Sequence, residues 1–360
     1  MFHNLRTVSM KITHLFKLLS ALSLALLLGW LFPMAHIKAD NVSTLGKYPV
    51  CEPSAVVKVT CPESEGNCLL VADNEQKDAL FLYSVSSKQL DSTRQSQLAL
   101  EKKISDIEAI AKLDDNKVLL FGSHSRNNKC EIKANRQRFV QAQLSGNQLK
   151  IIGELIQSPQ IDSKVLFQGL DVNSNKIISA VSRTIDEAET KANQSLGDKV
   201  ACEQANAFNA EGAVAIPEPL SLEKFKIWIG LRSPVVTLDA KNYAVLLSMA
   251  NLDNYQFDGA TLLDLGGRGI REITFDNNQI WGIAGGPKDG QDNFVFWKLS
   301  AEDLKPNTIL KPEILRELPQ SSEGLAIVDG TAYILIDGNS GDSGNQCAIP
   351  AKFMQFTVPN

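Results

Sequence analysis

Short apolar segments separated by polar turns recur along most of the chain, a pattern that is typical of β-strands. Four of these segments open on a similar phrase, in which a glutamate stands just ahead of a small or apolar run. The phrases are DIEAIA at 106–111, NAEGAVA at 209–215, GIREITF at 269–275 and SEGLAI at 322–327. A second apolar segment follows each phrase. Recurrence of one supersecondary unit predicts a repeat architecture.

The predicted strands fall into groups of four, in units of about 50 residues, which is typical of propeller blades. Three complete groups cover 106–155, 211–265 and 271–318, and an N-terminal group without the glutamate precedes them. The last group has only three strands, so we expect a segment such as 42–50 to close the ring. The sequence predicts an all-β propeller of five recognisable blades. A β-sandwich is the alternative, but it gives no reason for a recurring glutamate.

An insertion interrupts the repeat between the second and third units. Glu108 and Glu211 are 103 residues apart, against 61 and 51 for the next two intervals, which predicts an insertion over 156–208. Within it, 163–196 has helical spacing in its second half and is rich in Asn, Ser and Lys afterwards. The apolar face consists of Ile177, Ile178, Val181 and Ile185. We predict a helical insertion that ends in a mobile loop, and a degenerate sixth blade stays open.

Residues 1–39 have the order of a secretory signal, with basic residues, an apolar run at 18–32 and a small residue, Ala39, at the end. The apolar run is shorter than the ~20 residues that a spanning helix needs, which favours cleavage over an uncleaved anchor. Met10 begins a more typical signal and is a second candidate start. We expect a mature domain over 40–360, exported to a periplasm or the extracellular space, without stable membrane insertion.

Charge and histidine content narrow the candidate functions. Removal of 1–39 leaves 32 basic against 41 acidic residues, which makes nucleic acid and an anionic membrane surface poor partners. It also leaves His124 as the one histidine of the mature chain, which excludes a site built from several histidines. A hydrophobic content of 44% is ordinary for a globular protein. We expect a monomer.

All six cysteines lie after the signal, and an even number in an exported chain predicts disulfides. Zinc is the rival interpretation, but the chain has no CxxC pair and no histidine cluster. Sequence cannot choose among the connectivities. The pairings that we favour are Cys130–Cys202 in loops flanking the insertion, Cys61–Cys68 across a hairpin, and Cys51–Cys347 between the chain ends.

The repeated glutamates are the candidate site, because the innermost strands of a propeller line one central channel. Carboxylates that face one channel repel each other unless a cation or an arginine lies among them. Ca²⁺ takes oxygen ligands and suits such a ring, so calcium is the candidate cofactor. The candidate metal ligands are Glu108, Glu211, Glu272 and Glu323. A structural role in capping or ion pairing is the alternative for each of them.

Basic residues recur in the same motifs, and arginines would neutralise the carboxylates or hold an anionic group of a substrate. Alignment of the second strands on their apolar centres puts His124, Arg232 and Asp337 at matching positions. The candidate catalytic residues are His124 for proton transfer and Arg126, Arg232 and Arg271 for substrate binding. These residues favour a hydrolase that acts on a small ester, lactone or phosphoester. A non-catalytic scaffold that binds a ligand or a protein is the alternative.

The motifs SDIEAIA, FGSHSRNNK, NAEGAVAIPE, IGLRSP, LDLGGRGIREI, GIAGGP and SEGLAIVDG resemble those of a bacterial family known as domain of unknown function 3616, over about residues 50–356. That family is uncharacterised, so the resemblance implies a fold rather than a reaction. The Glu–Gly opening of an inner strand is more distantly similar to calcium-dependent propeller hydrolases of the gluconolactonase and esterase-like phytase types. That similarity implies metal ligands at Glu211 and Glu323. Glu108 and Glu272 depart from the pattern, since Ala and Ile follow them.

Overall fold

Antiparallel strands dominate the computed structural model, which describes residues 42–62, 65–159, 161–218, 225–288, 290, 293–341 and 345–359. The predicted secretory signal lies outside the described residues. Within them, no helix has the length and apolar character that crossing a bilayer requires.

The strands form five successive groups, which we call blades 1 to 5. Blades 1 and 2 are joined into one nine-stranded sheet by the parallel pairing of their outer strands. A two-residue strand, β1 (Ser43–Thr44), precedes blade 1. Blade 1 consists of β2 (Pro53–Thr60), β3 (Asn67–Asp73), β4 (Ala79–Ser86), the short β5 (Gln89–Leu90) and β6 (Ser96–Leu100). Blade 2 consists of β7 (Ile107–Lys112), β8 (Lys117–Gly122), β9 (Arg138–Ser145) and β10 (Gln148–Gln157).

The remaining blades repeat the pattern. Blade 3 contains β11 (Asn209–Pro217), β12 (Phe225–Leu238), β13 (Lys241–Met249) and β14 (Phe257–Leu263). Blade 4 contains β15 (Gly269–Asp276), β16 (Gln279–Gly285), β17 (Phe294–Ser300) and β19 (Glu313–Leu318), while β18 (Ile309–Leu310) pairs with β14 of blade 3. Blade 5 contains β20 (Ser322–Val328), β21 (Thr331–Ile336) and β22 (Lys352–Thr357).

The first strand of each blade lies innermost, and these five strands contact one another in the order β2, β7, β11, β15, β20 and back to β2. The closed ring confirms the predicted all-β propeller. The predicted closing strand is also confirmed, because β1 pairs with the outer edge of blade 5 at β22. A fourth strand from the opposite end of the chain therefore completes the last blade.

Helices fill the interval between blades 2 and 3, so the described part of this interval is not a sixth blade. They are α1 (Ser163–Leu166), α2 (Lys176–Gln194) and α3 (Lys199–Ala205). The predicted apolar face of α2 is buried against the core shared by blades 2 and 3. The predicted mobile loop is wrong: α2 continues to Gln194, and Asp198 caps α3 by accepting a hydrogen bond from the Ala201 amide.

All three predicted disulfides are formed. Cys51–Cys347 joins the loops before β2 and before β22, Cys61–Cys68 joins β2 to β3 across their hairpin, and Cys130–Cys202 fastens α3 to the loop after β8. Disulfides form and persist in oxidising compartments, which agrees with the predicted export. Export itself stays a prediction.

We expect the closing disulfide to stabilise the fold more than the hairpin disulfide, because it spans 296 residues instead of 7. In the chain-entropy model the difference is about 3 kcal/mol. Replacing Cys51 and Cys347 by serine should therefore lower the free energy of unfolding more than replacing Cys61 and Cys68. Urea titration of the two double variants measures this difference. Equal losses would show that β1 and β22 hold the ring closed without the covalent link.

Candidate functional site

Every inner strand carries an extra residue near its start. The pairing register with the second strand shifts there in all five blades, for example between Pro53 and Ala55 in β2. Such a β-bulge leaves one residue outside the ladder and re-aims its side chain. We call these five residues the bulge ring: Ser54, Glu108, Glu211, Arg271 and Glu323.

In blade 4, the bulge residue lies one position before the glutamate that the sequence motif suggested. Arg271, and not Glu272, occupies the position that Glu211 and Glu323 hold in their blades. Glu272 instead matches the small residues that follow them, Gly212 and Gly324. The sequence contains the signal, because IREI aligns with SEGL once the residue after the bulge is recognised as normally small.

A second set of equivalent positions follows from the register of the second strands. In each blade, one second-strand residue pairs with the inner-strand residue just before the bulge, and the next residue along the second strand is the equivalent position. These positions are Asn74, Ser123, Arg232, Gly285 and Asp337. Of these, Asn74, Arg232 and Asp337 line the upper cavity described below. The predicted matching of Arg232 with Asp337 agrees with this register. His124 is one residue too far along, and Ser123 is the equivalent position. Because successive strand residues point to opposite faces, a shift of one residue places the side chain on the other face of the strand.

Arg271 joins its two neighbours in the bulge ring. Its Nη1 lies 2.8 Å from Oε1 of Glu323 and 3.2 Å from Oε2 of Glu211. Its Nη2 donates to the carbonyl of Gly286 at 3.0 Å, and the guanidinium lies over the ring of Phe294. Arg271 is buried, and hydrogen-bonded ion pairs of this kind compensate the cost of burying its charge.

Glu211 uses both carboxylate oxygens within the site. Its Oε1 accepts hydrogen bonds from Arg232 Nη1 at 2.9 Å and from Asn209 Nδ2 at 2.8 Å, while Oε2 accepts from Arg271. Two guanidinium groups therefore share this one carboxylate, which fixes the positions of both arginines.

Glu108 differs from Glu211 in its contacts. No described residue donates a hydrogen bond to its carboxyl group, and its neighbours in the bulge ring are Ser54 and Glu211, which is already paired with the two arginines. Burial, reinforced by the negative charges of Asp106, Glu211, Glu323 and Asp337, raises the pKa of Glu108 well above its ordinary value. Glu108 is thus kept as a neutral acid under conditions where an exposed glutamate is ionised.

The other carboxyl groups of the site titrate at different pH values. Burial raises the pKa of Asp337 to about 8, and the negative charge of Glu323 adds to this effect. Burial raises the pKa of Glu323 to about 7, although the positive charge of Arg271 opposes the rise. The site therefore contains several carboxyl groups whose pKa values are raised above the ordinary range, which is common in acid–base catalysis.

Two adjoining cavities open onto these groups. The upper cavity, of about 270 Å³, lies directly over the bulge ring and is lined by Ser54, Glu108, Glu211, Arg271, Glu323 and Asp337, among others. The outer cavity, of about 400 Å³, extends from it toward α3 and the loop after β8. The residues that line both are Asn74, Glu108, Glu211 and Arg232.

Glu272 lies below the upper cavity, inside the channel, and is fully buried. Its Oε2 accepts a hydrogen bond from the amide of Val56 at 3.3 Å, and its Oε1 accepts from the amide of Ile273 at 2.9 Å. Since Val56 belongs to β2 and Glu272 to β15, the carboxyl group bridges two strands that are not neighbours in the ring. A separate lower cavity of about 250 Å³ begins beyond it, with no lining residue in common with the upper cavity.

His124 lies in the core rather than at the cavities. Its ring stacks on Tyr255 with centroids 3.9 Å apart, Nδ1 donates to the carbonyl of Gly122 at 2.8 Å, and Nε2 lies 2.6 Å from the Ser158 hydroxyl. Burial lowers the pKa of His124 to about 4. The ring is therefore neutral at physiological pH, with both nitrogens engaged by the protein.

Arg126 fastens the helical insertion. Its side chain donates to Glu189 of α2 from two nitrogens, at 2.8 and 3.0 Å, and to the carbonyl of Cys130 at 2.8 Å. Glu189 in turn accepts from the amide of Phe208. Arg126 thus lines the outer cavity as part of its wall, while Arg232 and Arg271 are the arginines that the fold brings to the glutamates.

The four predicted metal ligands do not form a common ligand set. Both oxygens of Glu211 are bound by arginine or asparagine groups, and Glu272 is bound to backbone amides. Among the described residues, no group of three or more His, Cys, Asp or Glu side chains is arranged to hold a metal ion. Calcium remains a prediction from the sequence.

The raised pKa of Asp337 makes the stability of the protein depend on pH. As the pH rises from the ordinary value of 3.8 toward about 8, the unfolded chain releases this proton before the folded protein does, so stability falls. We expect Tm to decrease between pH 5 and pH 8 and to decrease less in Asp337→Asn. Glu154→Asn, at an exposed position, is the control. An Asp337→Asn variant with the wild-type pH dependence would show that Asp337 is ionised in the folded protein.

Comparison with known proteins gives structural similarity only. No family model matches the chain, and no curated protein matches it. The chain resembles Kuenenia stuttgartiensis hydrazine synthase at 8% identity and a TM-score of 0.34, over 82% of this chain and 58% of the synthase. It resembles a putative oxidoreductase (glucose dehydrogenase) of Thermus thermophilus at 10% identity and a TM-score of 0.41, over 88% of this chain and 100% of the other. It also resembles the exo-β-1,3-galactanase 1,3Gal43A of Clostridium thermocellum at 10% identity and a TM-score of 0.44, over 89% of this chain and 63% of the galactanase. It spans less than two thirds of the synthase and of the galactanase. Identities and TM-scores this low bear on neither substrate nor activity.

Proposed function

We propose that the protein is a hydrolase of small, uncharged esters or lactones and that Glu108 is its proton donor. The observation that carries the proposal is the state of Glu108. It lines both cavities, no described residue donates a hydrogen bond to it, and burial raises its pKa well above the ordinary value. A neutral carboxylic acid at a cavity wall is suited to protonate a leaving oxygen.

Glu323 is the complementary base. With a pKa of about 7 it is substantially ionised at neutral pH, and Arg271 holds its carboxylate in place. In the proposed reaction Glu323 takes a proton from water as the water oxygen attacks the carbonyl carbon. The ester C–O bond then breaks, and Glu108 delivers its proton to the departing alcohol oxygen. Proton return from Glu323 to Glu108 through water restores the starting state.

Arg232 supplies positive charge for the transition state. Its guanidinium lines both cavities and donates to Glu211, which fixes its position before a substrate enters. Fixed donors of this kind stabilise the oxyanion that develops on the attacked carbonyl.

Charge within the site favours an uncharged substrate over a phosphoester. The two arginines that line the upper cavity are both engaged by carboxylates, since Arg232 donates to Glu211 and Arg271 is shared between Glu211 and Glu323. A phosphoester would compete with these carboxylates for the guanidinium groups, whereas an uncharged ester or lactone would not.

Glu108→Gln tests the proposal, because it preserves shape and removes the proton. We expect kcat for alkyl esters or simple γ- and δ-lactones, whose departing alkoxide needs a proton, to fall about 100-fold or more. Turnover of p-nitrophenyl acetate should fall less, because p-nitrophenolate departs without a proton. Glu154→Gln is the matched control at an exposed position and should keep wild-type kinetics. No turnover of any ester or lactone by the wild-type protein would contradict the proposal and favour a non-catalytic scaffold.

The pH dependence of kcat/KM distinguishes the base role of Glu323 from the acid role of Glu108. Activity needs Glu323 ionised and Glu108 protonated, so kcat/KM should rise as the pH approaches about 7 and fall again at alkaline pH. A rate that rises continuously with pH, as for hydroxide attack, would contradict an acid role for Glu108.

A further inference from the structure

The lower cavity has a lining that the proposed reaction does not use. It lies beyond Glu272 from the bulge ring and shares no lining residue with the upper cavity. In every blade, the residue four positions after the bulge residue lines this cavity. These five residues, which we call the lower ring, are Lys58, Lys112, Ala215, Phe275 and Ile327. All five inner strands therefore contribute to one wall.

Most of this wall is apolar. Three members of the lower ring are apolar, and side chains from β2, β7, β11 and β15 extend the same surface. They are Val57, Ile110, Ala213, Val214 and Ile273, among others. The cavity reaches solvent, because the exposed Asn277 lines it together with Thr274. Concave apolar surface that is open to solvent is typical of a ligand site.

The charged groups of the wall give it no preference for an ion. Among the described residues, the charged side chains that line the cavity are Lys58, Lys112 and Asp276. Lys112 Nζ lies 2.8 Å from Oδ1 of Asp115. Lys58 Nζ lies 3.8 Å from Oδ1 of Asp329. Two ammonium groups therefore lie among three carboxyl groups, so an anion would compete with these carboxyl groups and a cation would meet both lysines.

The two ion pairs also place the lysine charges at the rim of the cavity. In each pair the aspartate is the more exposed partner, at 79% for Asp115 and 60% for Asp329, against 32% for Lys112 and 28% for Lys58. Lysine side chains lay their methylene stems along apolar surface and keep the ammonium group in water. The stems of Lys58 and Lys112 therefore extend the apolar wall, and the ammonium groups lie where the exposed aspartates hold them.

We propose that the lower cavity binds an uncharged, apolar small molecule, either an aromatic ring system or an alkyl chain. The volume of the cavity sets the size of this ligand. An apolar cavity of roughly 150 Å³ holds benzene, so the 250 Å³ of the lower cavity suits about ten carbon atoms. The inference does not depend on the proposed hydrolase function, because the two sites have no lining residue in common.

Isothermal titration calorimetry on the purified protein tests the inference. The probes are indole and 1-octanol, with octanoate and octylammonium as charged analogues of the same length as the alcohol. We expect the neutral probes to bind at one site per chain, and each charged analogue to bind about tenfold more weakly than 1-octanol, because its charge would lose water in the cavity. If neither neutral probe binds, or if a charged analogue binds as tightly as 1-octanol, the inference is wrong.

Phe275→Ala locates the binding. Phe275 is half-buried and lines the cavity, so loss of its ring should weaken 1-octanol binding about tenfold. Phe356→Ala makes the same change at a half-buried position of β22 outside the cavity and should bind like wild type. Unchanged affinity in Phe275→Ala would overturn the placement. If that variant does not fold, methyl NMR of the wild-type protein decides: 1-octanol should shift the signals of Ile110 and Ile327 and leave that of Ile314, which is exposed on β19, in place.

The binding and the reaction can fail separately. Glu108→Gln should bind 1-octanol with wild-type affinity, because Glu108 lies in the wall of the other two cavities. Binding of the neutral probes without hydrolysis of any ester would refute the proposed function and keep the lower site. Ester hydrolysis without binding of either neutral probe would keep the hydrolase and refute the inference made here.

Discussion

A one-residue bulge at the same point of five inner strands is the constraint on which the site depends. Residues of a regular strand alternate between its two faces, so a regular ladder would direct these side chains into the interfaces between blades. The bulge frees one residue per blade from pairing and directs it to the channel mouth. Residues far apart in sequence, such as Ser54 and Glu323, therefore come together without any long loop.

The ion pairs of the bulge ring hold like charges at short range. Arg271 lies between Glu211 and Glu323 because blade 4 lies between blades 3 and 5, and it lowers the repulsion that two buried carboxylates would otherwise suffer. A buried charge network of this kind contributes little to stability, since desolvation offsets the attraction. The network makes the bulge ring asymmetric. Arg271 neutralises the carboxylates of Glu211 and Glu323, whereas the raised pKa of Glu108 keeps that carboxyl group protonated.

Most of the fold could be predicted from the sequence. Alternation and turn residues predict the strands of all five blades, and the missing fourth strand of the last group predicts closure by the N-terminal segment. The three disulfide pairings that we favoured are the ones formed, although the cysteine positions alone do not exclude the other connectivities. The helical insertion was predicted from the spacing around Val181. The length of α2 was not predicted, because its C-terminal half is fixed by hydrogen bonds between Glu189 and Arg126, which lies in a loop distant in sequence.

The site was predicted only in part. Glu272 was assigned to the position that Arg271 holds, because a bulge adds one residue to β15 without altering its apolar character, so hydrophobic patterns cannot place it. His124 was assigned to the position equivalent to Ser123, because β8 was aligned on its apolar centre and not on its pairing with β7. Arg126 was misplaced for another reason, since its motif resembles that of Arg232 while its partner lies in the insertion.

The position of Glu272 has a consequence for molecular traffic. Because its carboxyl group ties β15 to β2 across the lumen, it separates the upper cavity from the lower one. A molecule bound over the bulge ring would then exchange with solvent at one end of the propeller, so entry and departure share that end.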